Sequence, residues 1–503
     1  MDAVLTAFAE VLQPQVFFII VAASAYGLMI GSIPGLTATM GTALLVPITF
    51  FLDPIPAIGA IVAATTMAIF AGDIPGALLR IPGTPASAAY TDEAYRMREK
   101  GQVELALGVN MVCSTIGGLV GVAVLIFAAP QIAAVSLGFS SYEYFWLALL
   151  GLSCAIFVSS SSPVKGVLSL CVGLMLSTIG IDVVMGVKRF TFGDTELIGG
   201  VSIIPVLIGM FAITEILRKV ARPSRLPAPP PVRLGAMVSG VGSTIWRFKG
   251  GVARSSLMGS VIGALPGAGA DIAAWIAYAI SKKFSRSPEK FGTGYPEGIV
   301  SASSANNAAL SGAYVPSLVF GIPGDTITAI LIGVLLMKGI TPGPMVFVMD
   351  TGLVNAIFAV FVLANLLMLP LGLAAVYGSR RLLGIPQDIL FPIILLFCVI
   401  GAFAANNTLF DVWVMLVVGL VAFLLEENDF PLAPMILALI LGQLVEENFM
   451  KSIIKADGHL AEFFARPIGG TLGVLTLTLW ALLIGMSLHR AWRGRHAEKP
   501  ETE

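Results

Sequence analysis

The sequence predicts an all-α polytopic membrane protein built from two related repeats whose helices are interrupted by Pro-Gly pairs. Three observations predict it. Of the 503 residues, 57% are hydrophobic and only 12% charged, against about 25% charged in a soluble domain, and the mean hydropathy is +0.92. Apolar stretches near the ~20-residue length of a membrane crossing recur along the whole chain. Two motifs of the first half, GSIPGLTA (31–38) and IPGTP (81–85), return in order in the second as GALPGAGA (263–270) and IPGDT (322–326).

Taken in order, the apolar stretches of the first half lie near 17–31 and 36–52, parted by GSIPGL, and near 56–80, which runs into ALLRIPGTP. Those near 104–130, 143–160, 164–181 and 199–217 complete that half. The second half has 255–281, which contains GALPGAGA, then 305–322 and 326–349, parted by IPGDT. The remainder are 352–378, 388–405, 408–425, 430–445 and 471–488. Several are short or carry Pro-Gly, so some are expected to be half-helices or re-entrant segments, leaving about 11 to 13 full crossings. Residues 1–15 contain no Lys or Arg, so no cleavable signal peptide is expected.

Charge is concentrated in the connections. Residues 218–254 hold eight Lys and Arg residues, no acid, and the Pro-rich run RPSRLPAPPPVR, which should be extended. An excess of positive charge marks cytoplasmic loops. The expected organisation is therefore a first repeat at 1–217, a basic cytoplasmic linker at 218–254, a second repeat at 255–488 and a cytoplasmic tail at 489–503. Pro34 matches Pro266, 232 positions on, and Pro82 matches Pro323, 241 positions on. Pro75 and Pro316 stand seven residues before Pro82 and Pro323. The halves are expected to be of inverted topology.

Paired halves with interrupted helices at corresponding places point to a secondary transporter's binding site. Irregular backbone survives at membrane depth only inside protein or beside water. The N-terminal end of a half-helix offers free N–H groups and partial positive charge, which suits a carboxylate. After the breaks come Thr37, Thr39, Thr84 and Ser87, then Gly269, Asp325 and Thr326. Arg80, isolated beside a break, has a planar fork that matches a carboxylate; the bland alternative is a pair with Asp73 or Asp92. Asp73, Asp271 and Asp325 are candidates for coupling-cation ligation or proton uptake, or else cap half-helices. Asn306 and Asn307 contact substrate or cation, or form a helix–helix hydrogen bond.

Enzyme chemistry finds little support. His459, His489 and His496 lie near the C-terminus, and there is no HExxH, P-loop or Gly-x-Ser-x-Gly motif. The four cysteines show no paired spacing. A net charge of −1 gives no reason to expect a nucleic-acid partner. The competing readings are a passive anion channel and a non-transporting membrane enzyme or scaffold; a channel would show rings of polar residues.

PGLTATMGTALLVPITFFLDPIPAI (34–58), GDIPGALLRIPGTPASAAYTDEAYRMREKGQVELALG (72–108), the run 263–300 and ANNAALSGAYVPSLVFGIPGDTITAILIGVLLMKGITPGP (305–344) together resemble the large membrane subunit of the tripartite tricarboxylate transporters. The resemblance covers both halves. It implies a bacterial inner-membrane permease that imports a small carboxylate with a cation, Na+ or H+. It further implies a small membrane subunit and a periplasmic solute-binding protein as partners. A homodimer is a further expectation, and no other cofactor is expected. The resemblance places binding at Pro34-Gly35, Pro82-Gly83, Pro266-Gly267 and Pro323-Gly324. With the residues above, the candidate substrate set is Pro34, Gly35, Leu36, Thr37, Arg80, Pro82, Gly83, Thr84, Ser87, Pro266, Gly267, Gly269, Asn306, Asn307, Pro323, Gly324 and Thr326. One departure is that Glu297-Gly298-Ile299 is followed by Val300-Ser301-Ala302 rather than by the family's acidic residue before the Asn pair. That departure implies altered coupling or specificity.

Overall fold

The computed structural model describes residues 2–34, 36–159, 162–182, 185–222, 237, 239–384 and 387–497. The described chain is almost wholly helical. In order, the helices are α1 (Asp2–Val11), α2 (Pro14–Ser32), α3 (Ala38–Phe50), α4 (Pro54–Ala71), α5 (Asp73–Leu79), α6 (Thr91–Glu99), α7 (Val103–Ser136), α8 (Ser141–Ser159) and α9 (Pro163–Ser177). There follow α10 (Ile203–Ile208), α11 (Thr214–Ala221), α12 (Val241–Arg247), α13 (Lys249–Gly263), α14 (Gly269–Phe284), α15 (Pro296–Phe320) and α16 (Thr326–Met337). The last are α17 (Val346–Met349), α18 (Thr351–Tyr377), α19 (Ser379–Leu382), α20 (Gln387–Asn406), α21 (Leu409–Glu427), α22 (Leu432–Lys455) and α23 (Pro467–Ala497). Pro opens α2, α4, α9 and α15, where its fixed φ and missing N–H cost nothing.

Among the described residues seven helices are long and apolar enough to cross a membrane, with α4 and α5 counted as one 26-residue span. Five shorter apolar helices accompany them, including α3 and α16. The protein is an all-α, multi-pass membrane protein. Proline alone does not end a helix here. Pro47, Pro130, Pro316, Pro370 and Pro392 all lie within helices, where neighbouring groups re-satisfy the freed carbonyl. The apolar stretch 255–281 divides at GALPGAG into α13 and α14, and 199–217 divides at a π-helical turn, Gly209–Ile213. The basic connection 218–254 is partly helical, since α12 and α13 begin inside it. Most of RPSRLPAPPPVR lies outside the described residues. The apolar stretch 430–445 continues as helix through the mixed-charge residues that follow it, as far as Lys455, in α22.

The chain forms two compact units, Met1–Leu137 with Ser202–Phe423, and Gly138–Val201 with Leu424–Glu503, so each unit includes residues from both sides of the basic connection, which itself lies in the first. In the second unit α22 packs on α8 and α9. A two-residue antiparallel ladder pairs Gly180 with Arg189 and Ile181 with Lys188. Arg189 holds Glu446 by two bonds, at 2.6 and 3.0 Å.

In the first unit two helix pairs pack in the same way. Gly27 and Gly31 of α2 lie so close to Ala64 and Ala68 of α4 that a methyl on either glycine would overlap the facing carbonyl. Gly259 and Gly263 of α13 meet Ala305 and Ala309 of α15 identically. The first pair of glycines recurs after 232 positions and the alanines after 241, the spacings of the Pro-Gly motifs. Small residues four apart let helices approach closely where apolar lipid supplies no hydrophobic drive between them. Long helices then complete the unit, α7 packing on α15 and α18 on both α4 and α7.

Gly31→Val and Gly263→Val should each lower thermal stability of the purified protein, by about 1–3 kcal/mol or more from overpacking. Gly242→Ala, which meets nothing within 4 Å, should leave the melting temperature unchanged. A Gly31→Val protein as stable as wild type would contradict the packing.

Candidate functional site

The four interruptions come together in the first unit. Each half makes the same internal contact. Gly83 N donates to Gly72 O at 3.0 Å, and a Cβ on Gly83 would lie 2.7 Å from Gly72 Cα and 3.1 Å from Gly31 O. In the second half a Cβ on Gly324 would lie 2.9 Å from Ala313 Cα and 2.9 Å from Gly263 O. Gly267 N donates to Gly324 O at 2.7 Å, which ties that half's two breaks together. The close approach expected at Gly83 and Gly324 is therefore to the protein's own backbone.

Contacts between halves close the ring. Thr39 and Thr326 share a hydrogen bond of 3.1 Å between hydroxyls, joining the first break of the first half to the second break of the second. Reciprocally, Asp271 Oδ1 accepts from Ala86 N at 3.1 Å, and Trp275 Nε1 donates to Pro85 O at 3.1 Å. Asp271 and Trp275 stand four apart on α14 and so share one face. Thr39 and Asp271 are 232 positions apart, which makes these matching contacts.

Each break is finished by a cap. Thr84 and Ser87 exchange backbone N–H and side-chain oxygen, each bond 3.1 Å long. Asp325 and Thr328, 241 positions further on, do the same at 2.9 and 2.8 Å. Such reciprocal boxes satisfy donors left free at a helix start. Asp325 thus caps α16, the alternative reading of that residue. Thr37 caps α3, accepting from Met40 N at 3.1 Å. The N-terminal ends of α3, α14 and α16 meet at this ring, with the positive end of each helix dipole.

The helix ahead of each second break ends in a left-handed residue, Arg80 at φ 62° and Gly321 at φ 68°. Ile81 N and Ile322 N then reach back to Pro75 O and Pro316 O, a helix-ending pattern that satisfies orphan carbonyls. That is what the prolines seven residues upstream do. The Arg80 side chain is 56% exposed and pairs with Asp92 at 2.8 Å, the bland alternative for this residue, with its guanidinium 5.8 Å from the Tyr95 ring.

The other candidates distribute as follows. Pro34, Leu36, Pro323 and Gly324 are buried; Pro82 and Asp271 are exposed; Pro266, Gly267 and Thr326 are half-buried. Gly269, at φ 55°, opens α14 against Asp325 Cβ. Gly35 lies outside the described residues. Asn307 donates to Ser114 O at 3.0 Å and to Asn365 Oδ1 at 3.1 Å, which is the helix–helix bond weighed for it. Asn306 is buried beside Tyr90. Asp73 is buried and takes Tyr90 Oη–H at 2.6 Å and Asn110 Nδ2–H at 2.9 Å. Among the described residues no three of His, Cys, Asp and Glu gather as a metal cluster.

The candidate list omits Trp275, Tyr90 and Asn110. Trp275 carries no sequence signal of its own. Asn110 has one, a lone amide within the apolar stretch 104–130. Glu93 is also absent from it. This buried carboxylate on α6 accepts from Gly292 N, Gly294 N and Tyr295 N and from the Tyr278 hydroxyl, fastening α6 to the turn before α15.

The model of the tripartite tricarboxylate transporter TctA family matches residues 17–437. A 52.8 kDa protein in the TAR-I ttuC′ 3′ region of Agrobacterium vitis is 34% identical over 446 residues, 89% of this chain and 88% of that one. A protein in the TAR-II ttuC′ 3′ region of the same organism is 36% identical over 214 residues, 42% of this chain and 88% of that one. No solved structure matches the chain.

Arg80→Gly should fold at least as well as wild type, because glycine takes φ 62° freely and an exposed ion pair contributes only about 0–1 kcal/mol. Arg80→Val should lower stability by about 1–2 kcal/mol, since a β-branched residue resists that conformation. Equal melting temperatures for the two variants would contradict this account of Arg80.

Proposed function

Because the chain belongs to the tripartite tricarboxylate transporter TctA family, and is thus a membrane component of such a transporter, we propose the following mechanism for it. It is the permease of a secondary active importer, carrying a small di- or tricarboxylate across the bacterial inner membrane with a cation gradient. A periplasmic solute-binding protein delivers the substrate, and a small membrane subunit completes the transporter. The observation that carries this reading is the ring of four duplicated helix breaks. It gathers three helix N-termini, four threonine hydroxyls and small residues in one place, which suits carboxylate oxygens.

The same ring accounts for coupling. Asp271 and Asp325 stand within it, Asp325 lying against Gly269, two residues before Asp271. An anion entering there meets carboxylates, so its entry is favoured when a cation or proton enters with it. The substrate set at the breaks and the coupling role of Asp271 are part of this proposal; Arg80 contributes the local fold.

Two sets of contacts support the reading of inverted related halves. Lys338, just past α16, donates to Phe50 O and Leu52 O at the end of α3. Lys100, just past α6, donates to Thr293 O in the connection after α14. Each half's second-break segment thus ends where the other half's first-break helix ends. The side holding Arg96, Arg98, Lys100, Lys282 and Lys283 is the more basic and is assigned to the cytoplasm. Alternating access then moves the ring relative to the long helices around it.

Right-side-out vesicles expressing this chain with its two partners should accumulate a labelled di- or tricarboxylate above equilibrium only under an imposed sodium or pH gradient. Gly83→Val and Gly324→Val should each cut uptake more than about tenfold with normal insertion, as displaced backbone leaves groups misplaced by ~1 Å. Equilibration without a gradient would make the protein a channel.

A further inference from the structure

Directly behind the Thr84–Ser87 turn lies a small cavity lined by Asp73, Ser87, Tyr90, Thr91 and Asn110 among others. Its volume is about 10 Å3, taken as the space open to the centre of a water molecule, roughly the room that one water or one small ion needs. Asp73 is 5% exposed and Asn110 3% exposed. We propose that this cavity binds one sodium-sized monovalent cation, with the Asp73 carboxylate as its charged ligand and Asn110 Oδ1, Ser87 Oγ and Thr91 Oγ1 as neutral oxygen ligands.

Four observations lead there. First, Asp73 sits in the span Pro54–Leu79, and among the described residues its hydrogen-bonding partners are neutral, Tyr90 and Asn110. The residues lining the cavity include no Lys, Arg or His. A buried charge without a counter-charge is costly, and a bound cation removes that cost.

Second, the Asn110 amide donates its Nδ2–H to Asp73, and its Oδ1 is buried without a partner. Buried carbonyl oxygens without partners are rare and call for an occupant that offers a hydrogen-bond donor or a positive charge. Asn306 Oδ1, beside Tyr90, is likewise buried and unpartnered.

Third, the hydroxyl protons at the cavity are already committed. Ser87 Oγ donates to Thr84 O at 2.8 Å, and Thr91 Oγ1 donates to Ser87 O at 2.8 Å. The oxygens that remain can only accept, which suits a cation and repels an anion. All are hard oxygen donors, and one carboxylate balances one positive charge, so the set fits an alkali ion better than a divalent one.

Fourth, the cavity shares residues with the ring of breaks. Ser87 closes the Thr84 cap, and the neighbouring Pro85 and Ala86 are held by Trp275 and Asp271 of the other half. A cation bound here orders the turn that the second half grips. The duplication does not repeat it: the position 241 residues beyond Asp73 is Tyr314, packed edge-on against Phe361. One site per chain follows. Its role in coupling rests on the transport reading; the binding itself does not.

The test is the melting temperature of the purified chain against sodium chloride, with ionic strength held by choline chloride. A ligand that binds only the folded state raises that temperature with concentration. Sodium should raise it and saturate, and potassium should act only at higher concentration. Asp73→Asn should abolish the response, and Asn110→Ala should shift its midpoint at least about tenfold, the usual effect of losing a supporting ligand contact. Asp411→Asn, which alters a buried acid elsewhere, should respond as wild type. If Asp73→Asn does not fold, Asn110→Ala and Thr91→Val carry the test. Wild-type sodium response in the folded variants, or no response of wild type beyond choline, would overturn the site. Gradient-driven uptake alongside either result would leave the transport reading standing, whereas sodium binding without uptake would uphold the site and remove that reading.

Discussion

A polypeptide that stops being helical inside a bilayer leaves N–H and C=O groups that lipid cannot satisfy. The first unit of this protein depends on how that constraint is met at four places. The interruptions satisfy one another. Gly83 N finds Gly72 O, Gly267 N finds Gly324 O, and the reciprocal caps Thr84–Ser87 and Asp325–Thr328 close the helix starts. Glycine and alanine recur at these places because backbone must approach backbone, and a side chain there would hold the pieces apart.

The arrangement separates two demands. Within each half, the breaks are packed tightly by backbone contacts and by the Gly–Ala approach of α2 on α4 and of α13 on α15. Between the breaks of opposite halves, the links are polar: the shared hydroxyl bond at Thr39–Thr326, and the grip of Asp271 and Trp275 on Pro85 and Ala86. Such links can exchange with a ligand's oxygens more readily than a packed core can open. The places where the two halves differ are informative. Arg80 stands where Gly321 does, and Asp73 stands where Tyr314 does, whereas Asp271 and Asp325 stand where the first half has Thr39 and Thr84, so the two halves carry their charge at different positions.

Much of this was legible in the sequence. The fold class followed from hydropathy, and the four breaks from Pro-Gly pairs repeated at spacings of 232 and 241. The upstream prolines were visible, though not that their carbonyls cap helix ends. For Arg80 the sequence offered substrate contact or a pair with Asp73 or Asp92, and the αL turn at the end of α5 directs it outward to Asp92, a choice that local pattern could not make. Thr39–Thr326 and Asp271–Ala86 could not be read from local pattern, because each joins residues far apart in sequence. Nor could the two compact units, which are set by helix packing and draw on both halves. Asn110 and Tyr90 gained meaning only when folding set them on Asp73.

The central claim is that breaks from opposite halves meet, and that transport requires them to move. The most direct measurement is oxidative cross-linking of Thr39→Cys with Thr326→Cys, in a chain whose four native cysteines are replaced. The hydroxyls they replace are 3.1 Å apart, within reach of a disulfide. The account predicts that an intramolecular bridge forms in membranes, that gradient-driven carboxylate uptake stops, and that a reductant restores it. Two free thiols after oxidation, or undiminished uptake by the bridged protein, would contradict it.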